Sequence, residues 1–135
     1  MSQAPIVADY MDTKFFTLNP NNSVNEAINL LKKNHLIAVM VLDDEDKNKV
    51  IGLLSERDCL KLILDQTYNQ LPKDNVSNLM QKCPEPVSSS MLITEVVEIF
   101  FNNSFRRMPV IDNGILVGQI TRRDVLRGLH HLIFK

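Results

Sequence analysis

Laid over itself, the 135-residue chain matches along most of its length, and a chain built twice from one unit has few architectures open to it. Val7-Ala-Asp-Tyr-Met11 falls on Val76-Ser-Asn-Leu-Met80. The same offset puts Val24 on Ile93, Glu26 on Glu95, Leu31 on Phe100, Val41 on Val110 and Asp43 on Asp112. The first copy then carries three extra residues in the polar turn at residues 43–49. Beyond it, Val50-Ile-Gly-Leu-Leu-Ser-Glu-Arg-Asp58 falls on Leu116-Val-Gly-Gln-Ile-Thr-Arg-Arg-Asp124, so that a glycine, a hydroxyl, an arginine and an aspartate coincide. We place the copies at residues 7–65 and 76–133, with the polar stretch 66–75, which contains Pro72, as the linker.

Each copy reads alike in secondary structure. Val24, Ala27, Ile28 and Leu31 recur at helical spacing over residues 23–34, and Ser23-x-x-Glu26 is a capping box at the start of that helix. The matching helix at residues 92–102 carries Ile93, Val96, Val97 and Phe100 on one face but lacks the capping box. Short Val/Ile/Met-rich segments at 37–42 and 108–111 fit strands buried on both faces. After a polar turn, second strands at 50–54 and 116–120 end at Ser55 and Thr121, each a good N-cap for a following helix. The fold class is therefore α/β (α+β), with two helix-strand-strand-helix repeats. A unit of about 60 residues has a meagre core alone, so the repeats are expected to pack through their sheets as one pseudo-twofold module.

Composition narrows the function. Fifteen Lys and Arg against 16 Asp and Glu leave no basic excess for a nucleic-acid coat, although residues 1–75 are net acidic and 76–135 net basic. The longest apolar run, residues 36–42, is far short of the roughly 20 needed to span a bilayer. The N-terminus has neither the basic start nor the apolar stretch of a secretory signal, and Cys59 and Cys83 form no Cys-x-x-Cys pair. These features point to a cytoplasmic protein with free thiols and no membrane partner.

The tandem units resemble CBS domains: Met near the start, an amphipathic helix, the strand Met108-Pro109-Val110-Ile111-Asp112, and Gly-x-x-[Ser/Thr]-x-Arg-Asp at residues 52–58 and 118–124. Two in tandem resemble a Bateman module. The resemblance implies a regulatory, non-catalytic module that binds an adenosine-containing ligand, AMP, ADP, ATP or S-adenosylmethionine, in clefts between the repeats. It also implies a homodimer and a separate effector protein, with no obligatory cofactor. It further implies that each cleft combines the sugar-binding aspartate of one repeat with a base-enclosing strand of the other. Ser55, Arg57 and Asp58 would then face Pro86, Val87, Arg106, Arg107, Met108 and Pro109. Thr121, Arg123 and Asp124 would face Thr17, Leu18, Ala38 and Val39. The first cleft is expected to be the better site, because Arg106 and Arg107 suit phosphate oxygens.

The chemistry of these residues is apt. A carboxylate accepts hydrogen bonds from both hydroxyls of a ribose, and bonds to a charged group contribute about 1.5–3 kcal/mol each. A helix N-terminus adds backbone N–H groups and the positive end of its dipole, both favourable to phosphate. Gly52 and Gly118, within strands, permit close approach of a ligand. Ser-x-x-Asp and Thr-x-x-Asp are equally helix-capping patterns, and the two roles are compatible.

Other chemistry finds little support. There is no Gly-x-Gly-x-x-Gly, Walker loop, Gly-x-Ser-x-Gly or His-Glu-x-x-His pattern, so an enzyme is not expected. His130 and His131 are adjacent on a helix and diverge by about 100°, unlike zinc-binding pairs. Arg122, Arg123 and Arg127 could meet nucleic acid, but no aromatic platform accompanies them. The rival from another class is a structural dimerisation or adaptor module whose clefts are empty.

Overall fold

The computed structural model describes residues 4–65, 74–83 and 85–134. Along the chain these form α1 (Val7–Tyr10), β1 (Thr17–Leu18), α2 (Val24–Lys33), β2 (Ala38–Leu42), β3 (Val50–Ser55), α3 (Glu56–Asp65), α4 (Val76–Leu79) and β4 (Gln81–Lys82). They are followed by α5 (Ile93–Phe101), β5 (Arg107–Asp112), β6 (Ile115–Thr121) and α6 (Arg122–Phe134). Helix, strand, strand, helix recurs in both copies, as their shared pattern requires. Of the linker expected at 66–75, only Asp74 and Asn75 are among the described residues. The chain divides into a continuous compact unit, Phe16–Cys83, and a discontinuous one, Met1–Phe15 with Pro84–Lys135.

In the continuous unit, Ser23 caps α2: Glu26 N donates to Ser23 Oγ (3.1 Å) and Ser23 N donates back to Glu26 Oε1 (2.9 Å). Val24, Ala27 and Leu31 are the buried face of that helix. β2 and β3 pair antiparallel, Ala38 opposite Ser55 and Val39 opposite Leu54, with β1 parallel to β2 and β4 antiparallel to β3. The strand period sends Val39, Val41 and Leu54 to a core shared with Leu18, Ala27, Leu31, Cys59 and Val76. Ala38, Met40 and Leu53, on the alternate face, are buried as well. Burying each Val or Leu side chain contributes about 1.5–3 kcal/mol.

The discontinuous unit repeats this plan. α5 buries Ile93, Val96 and Phe100, and half a capping box survives at its start, where Leu92 N donates to Glu95 Oε1 (3.0 Å). β5 and β6 pair antiparallel, Arg107 opposite Thr121 and Met108 opposite Ile120. Their turn is Asn113-Gly114, at φ 51° and 79°, the residue types and left-handed conformation that a tight two-residue hairpin demands. The core joins Val7, Val87, Ile93, Val96, Phe100, Met108, Val110, Ile120 and Val125.

The two leading segments change places. Residues of the first copy's leader bond to the second: Val7 N donates to Met91 O (2.9 Å), Ala8 N to Ser89 O (2.9 Å), and Ile93 N to Pro5 O (3.0 Å). At the matching positions Val76 N donates to Asn22 O (2.9 Å), Ser77 N to Pro20 O (3.0 Å), and Val24 N to Asp74 O (3.1 Å). Each compact unit is thus one copy's helices and hairpin completed by the other copy's leader. This corrects the reading of the two strand glycines. A Cβ on Gly118 would lie 2.6 Å from Asp12 O, and one on Gly52 would lie 2.6 Å from Met80 Sδ and 2.9 Å from Gln81 O. What approaches them is the leader, through the Asp12 carbonyl at Gly118 and through the Met80 side chain and Gln81 carbonyl at Gly52.

Candidate functional site

Asp58 and Asp124 are the third residues of α3 and α6, each just past the hydroxyl residue that ends a strand. Both take the capping role. Asp58 Oδ2 accepts from Ser55 N and Oγ (both 2.9 Å), while Asp58 N donates to Ser55 Oγ (3.1 Å). Asp124 Oδ2 accepts from Thr121 N (2.9 Å), and Asp124 N donates to Thr121 Oγ1 (3.2 Å). A carboxylate has about four acceptor sites, so capping leaves capacity on each. On Asp58 Oδ1 one bond comes from Gln81 Nε2 (3.0 Å). Asp124 Oδ1 has Arg127 Nη2 at 3.8 Å.

The helix ends offer fewer N–H groups than the sequence reading allows. Glu56 N donates to Ile37 O (2.9 Å) and Arg122 N to Arg106 O (3.3 Å). With Asp58 N and Asp124 N capped, two of the first three N–H groups of each helix are engaged.

Among the other expected site residues, Arg57 and Arg123 are exposed and Thr17 is half-buried, whereas Leu18, Ala38 and Val39 are buried. The continuous unit gathers Ser55, Asp58, Ala38 and Val39 at one hairpin, with Thr17 and Leu18 on the adjoining strand. The discontinuous unit gathers Thr121, Asp124, Arg107, Met108 and Pro109 at the matching hairpin. Val87 joins that group through its N–H, which donates to Pro109 O (3.0 Å), and the neighbouring Pro86 is exposed.

The two arginines before Met108 part company. Arg106 is exposed. Arg107 is only 8% exposed; its Nη1 donates to Gln119 Oε1 (3.3 Å) and its Nε has no hydrogen-bond partner. Burial pushes its pKa below the usual arginine range, and the negative charges of Asp12 and Asp124 oppose that. Asp12 in turn is raised above the usual carboxylate range, first by burial and next by Asp124, against Gln119, Arg127 and Arg107. Its backbone exchanges two hydrogen bonds with Gln119 (2.9 and 3.0 Å). Sequence reasoning missed Asp12, Gln81 and Gln119. Their signal was present as departures from the self-match: Asp12 stands on Gln81, and Gln119 on Leu53.

Among the described residues no helix is long and apolar enough to cross a membrane. A CBS domain family model matches residues 7–65 and 76–131. An uncharacterized 17.7 kDa protein of Acidianus ambivalens is 31% identical over 91% of this chain and 72% of its own length. The inosine-5'-monophosphate dehydrogenase of Methanocaldococcus jannaschii is 31% identical over 82% of this chain, a match that takes in only 21% of that enzyme. The chain superposes on the CBS-pair protein CBSX2 of Arabidopsis thaliana. In the complex of that protein with AMP the TM-score is 0.76 and the identity 28%, covering 94% of this chain and 97% of that one. Two matched segments spanning most of the sequence make this chain a member of the CBS domain family, with two such domains in tandem.

Proposed function

We propose that this chain is a regulatory, non-catalytic module that binds an adenine nucleotide of the AMP, ADP or ATP type and passes its occupancy on to an effector protein. Asp58 and Asp124 accept hydrogen bonds from the ribose hydroxyls, and the exposed Arg106 is the phosphate-facing cation. The observation that carries this reading is the twice-repeated aspartate at a helix start whose carboxylate keeps acceptor capacity beyond its cap. The AMP complex of CBSX2, similar over nearly its whole length, supports the ligand class. A ligand alters the signal only as far as its affinities for the two signalling states differ.

The module works as a homodimer. Leu60 and Leu64 of α3 are 65% and 71% exposed, and Leu126 and Phe134 of α6 are 67% and 70% exposed. Apolar side chains so concentrated on two matching helices suit an interface between copies.

Thermal melting with AMP, ADP, ATP and S-adenosylmethionine tests the function. A ligand at about 100 times its dissociation constant stabilises by about 2.7 kcal/mol. Asp58→Asn and Asp124→Asn should each reduce that gain. The same exposed helices favour a second reading, a dimerisation or adaptor module without ligand, and the absence of any shift with all four compounds would establish it instead.

A further inference from the structure

The two copies differ at three places around their matched aspartates. Self-alignment sets Asp12 against Gln81, Arg107 against Ala38 and Gln119 against Leu53. In each unit those positions meet. In the continuous unit, Gln81 pairs with Leu53 on the neighbouring strand and donates to Asp58, while Ala38 stands opposite Ser55. In the discontinuous unit, Asp12 bridges to Gln119, Arg107 donates to Gln119, and Arg107 stands opposite Thr121.

The chemistry at these positions is different but balanced. Gln81 is a neutral donor that fixes the orientation of Asp58. A carboxylate in its place cannot donate, and Asp12 brings a second negative charge towards Asp124, itself only 5% exposed. Neighbouring carboxylates disfavour each other's ionisation, and the charge of Asp124 raises the pKa of the half-buried Asp12. Arg107, replacing an alanine and 8% exposed, supplies the missing positive charge from the face of β5 opposite the core residues Met108 and Val110. Asp58 with Gln81 carries a formal charge of −1, as does the trio Asp12, Asp124 and Arg107. Arg127, 51% exposed, reaches Asp124 only from the rim.

We infer that Asp12 and Arg107 are positioning residues for Asp124, a charge-balanced substitute for Gln81 that makes sugar recognition by the second copy depend on the leader of the first. This rests on the ribose-binding reading of Asp124. It gives Arg107 a role toward Asp124 in place of the phosphate contact expected from sequence.

The test is calorimetric titration of the full chain with adenosine and AMP, in an Asp58→Asn background that leaves Asp124 as the acceptor, and in an Asp124→Asn background that leaves Asp58. In the first, Arg107→Ala should weaken adenosine and AMP alike by about tenfold, and adding Asp12→Gln should restore both to within about threefold, as coupled neighbours do. In the second, Arg107→Ala should leave both within about twofold, whereas a merely structural residue would weaken both backgrounds. Arg107→Lys, which keeps the charge but not the fork, makes the same comparison with a smaller loss should the alanine variant not fold. Loss of AMP binding with adenosine retained would assign Arg107 to phosphate and overturn the inference, as would a double variant no better than Arg107→Ala. If Asp124→Asn weakens the wild-type chain and Arg107→Ala does not, the inference alone falls. If Asp124→Asn has no effect on either compound, the ribose reading falls and the inference with it.

Discussion

Gly118→Ala tests the exchange of leaders most directly. The added methyl would lie 2.6 Å from Asp12 O and 3.1 Å from Met11 Sδ. Met11 Sδ belongs to a flexible side chain and could yield. Asp12 O belongs to a backbone fastened at both ends, by Asp12 N to Gln119 O (2.9 Å) and Gln119 N to Asp12 O (3.0 Å). Either the strain stays, at about 1–3 kcal/mol for an overpacked site, or the leader retreats and gives up two bonds of about 1 kcal/mol each. Reduced freedom of the unfolded chain offsets up to about 1 kcal/mol. The net expectation is a destabilisation of about 1–2 kcal/mol, seen as a lower urea midpoint at unchanged slope. Hydrogen exchange should quicken at the Asp12 and Gln119 amides. Gly114→Ala is the control: nothing lies within 4 Å of its added methyl, but its φ of +79° makes the backbone strained, so its cost should leave exchange at Asp12 unchanged. A Gly118→Ala variant within about 0.5 kcal/mol of wild type, well below the overpacking range, would refute the close approach.

Three further outcomes follow from the same geometry. Asp58→Ala and Asp124→Ala should each destabilise the ligand-free protein by about 1 kcal/mol through loss of the cap, measured by urea unfolding without nucleotide; no loss would mean the caps contribute nothing. Ser89 N and Oγ donate to Asp112 and hold its carboxyl below the usual range, so this group adds stability above its unfolded pKa that is lost as pH falls through its folded pKa. Ser89→Ala should raise the Asp112 pKa in an NMR titration, and at low pH should no longer differ from wild type in stability on this account. Leu64→Asp combined with Phe134→Asp should convert the proposed dimer to a monomer in light scattering after gel filtration, and a dimer mass in both wild type and variant would remove α3 and α6 from the interface.

The helices and hairpins were legible because their determinants are local. Ser23 and Glu26 announce a capped start, and the Val and Ile of β2 and β5 announce buried strands. The partnership of the leaders was not legible, since Val7 and Val76 carry the same pattern and either could pack on either copy. Nor was the destination of Arg107. Next to Arg106 it reads as half of a basic pair, but Arg107 opens β5 and is buried beside Gln119 on the face opposite Met108 and Val110, whereas Arg106 is exposed. The only sequence trace of that choice is non-local: Arg107, Asp12 and Gln119 depart from the self-match together, and their proximity is a property of the fold.

The boundary of an independently folding piece therefore differs from the boundary of a sequence repeat. Residues 16–83 contain all four strands of the continuous unit, whereas residues 7–65 lack α4 and β4 and retain a leader that belongs elsewhere. The shorter piece forfeits the bonds of Val24 N to Asp74 O, Val76 N to Asn22 O and Ser77 N to Pro20 O. It also forfeits the bond from Gln81 to Asp58 and the core side chain of Val76, which is 0% exposed. At about 1 kcal/mol per bond and about 1.5–3 kcal/mol for the valine, the deficit is of the order of the 5–15 kcal/mol that holds a whole domain together. A 16–83 fragment should thus show a cooperative urea transition by circular dichroism under conditions where 7–65 does not. By the same reasoning, 84–135 should gain structure when a peptide of residues 1–15 is added. If 7–65 unfolds at the same denaturant concentration as 16–83, the leaders do not belong to the units that the hydrogen bonds assign them to.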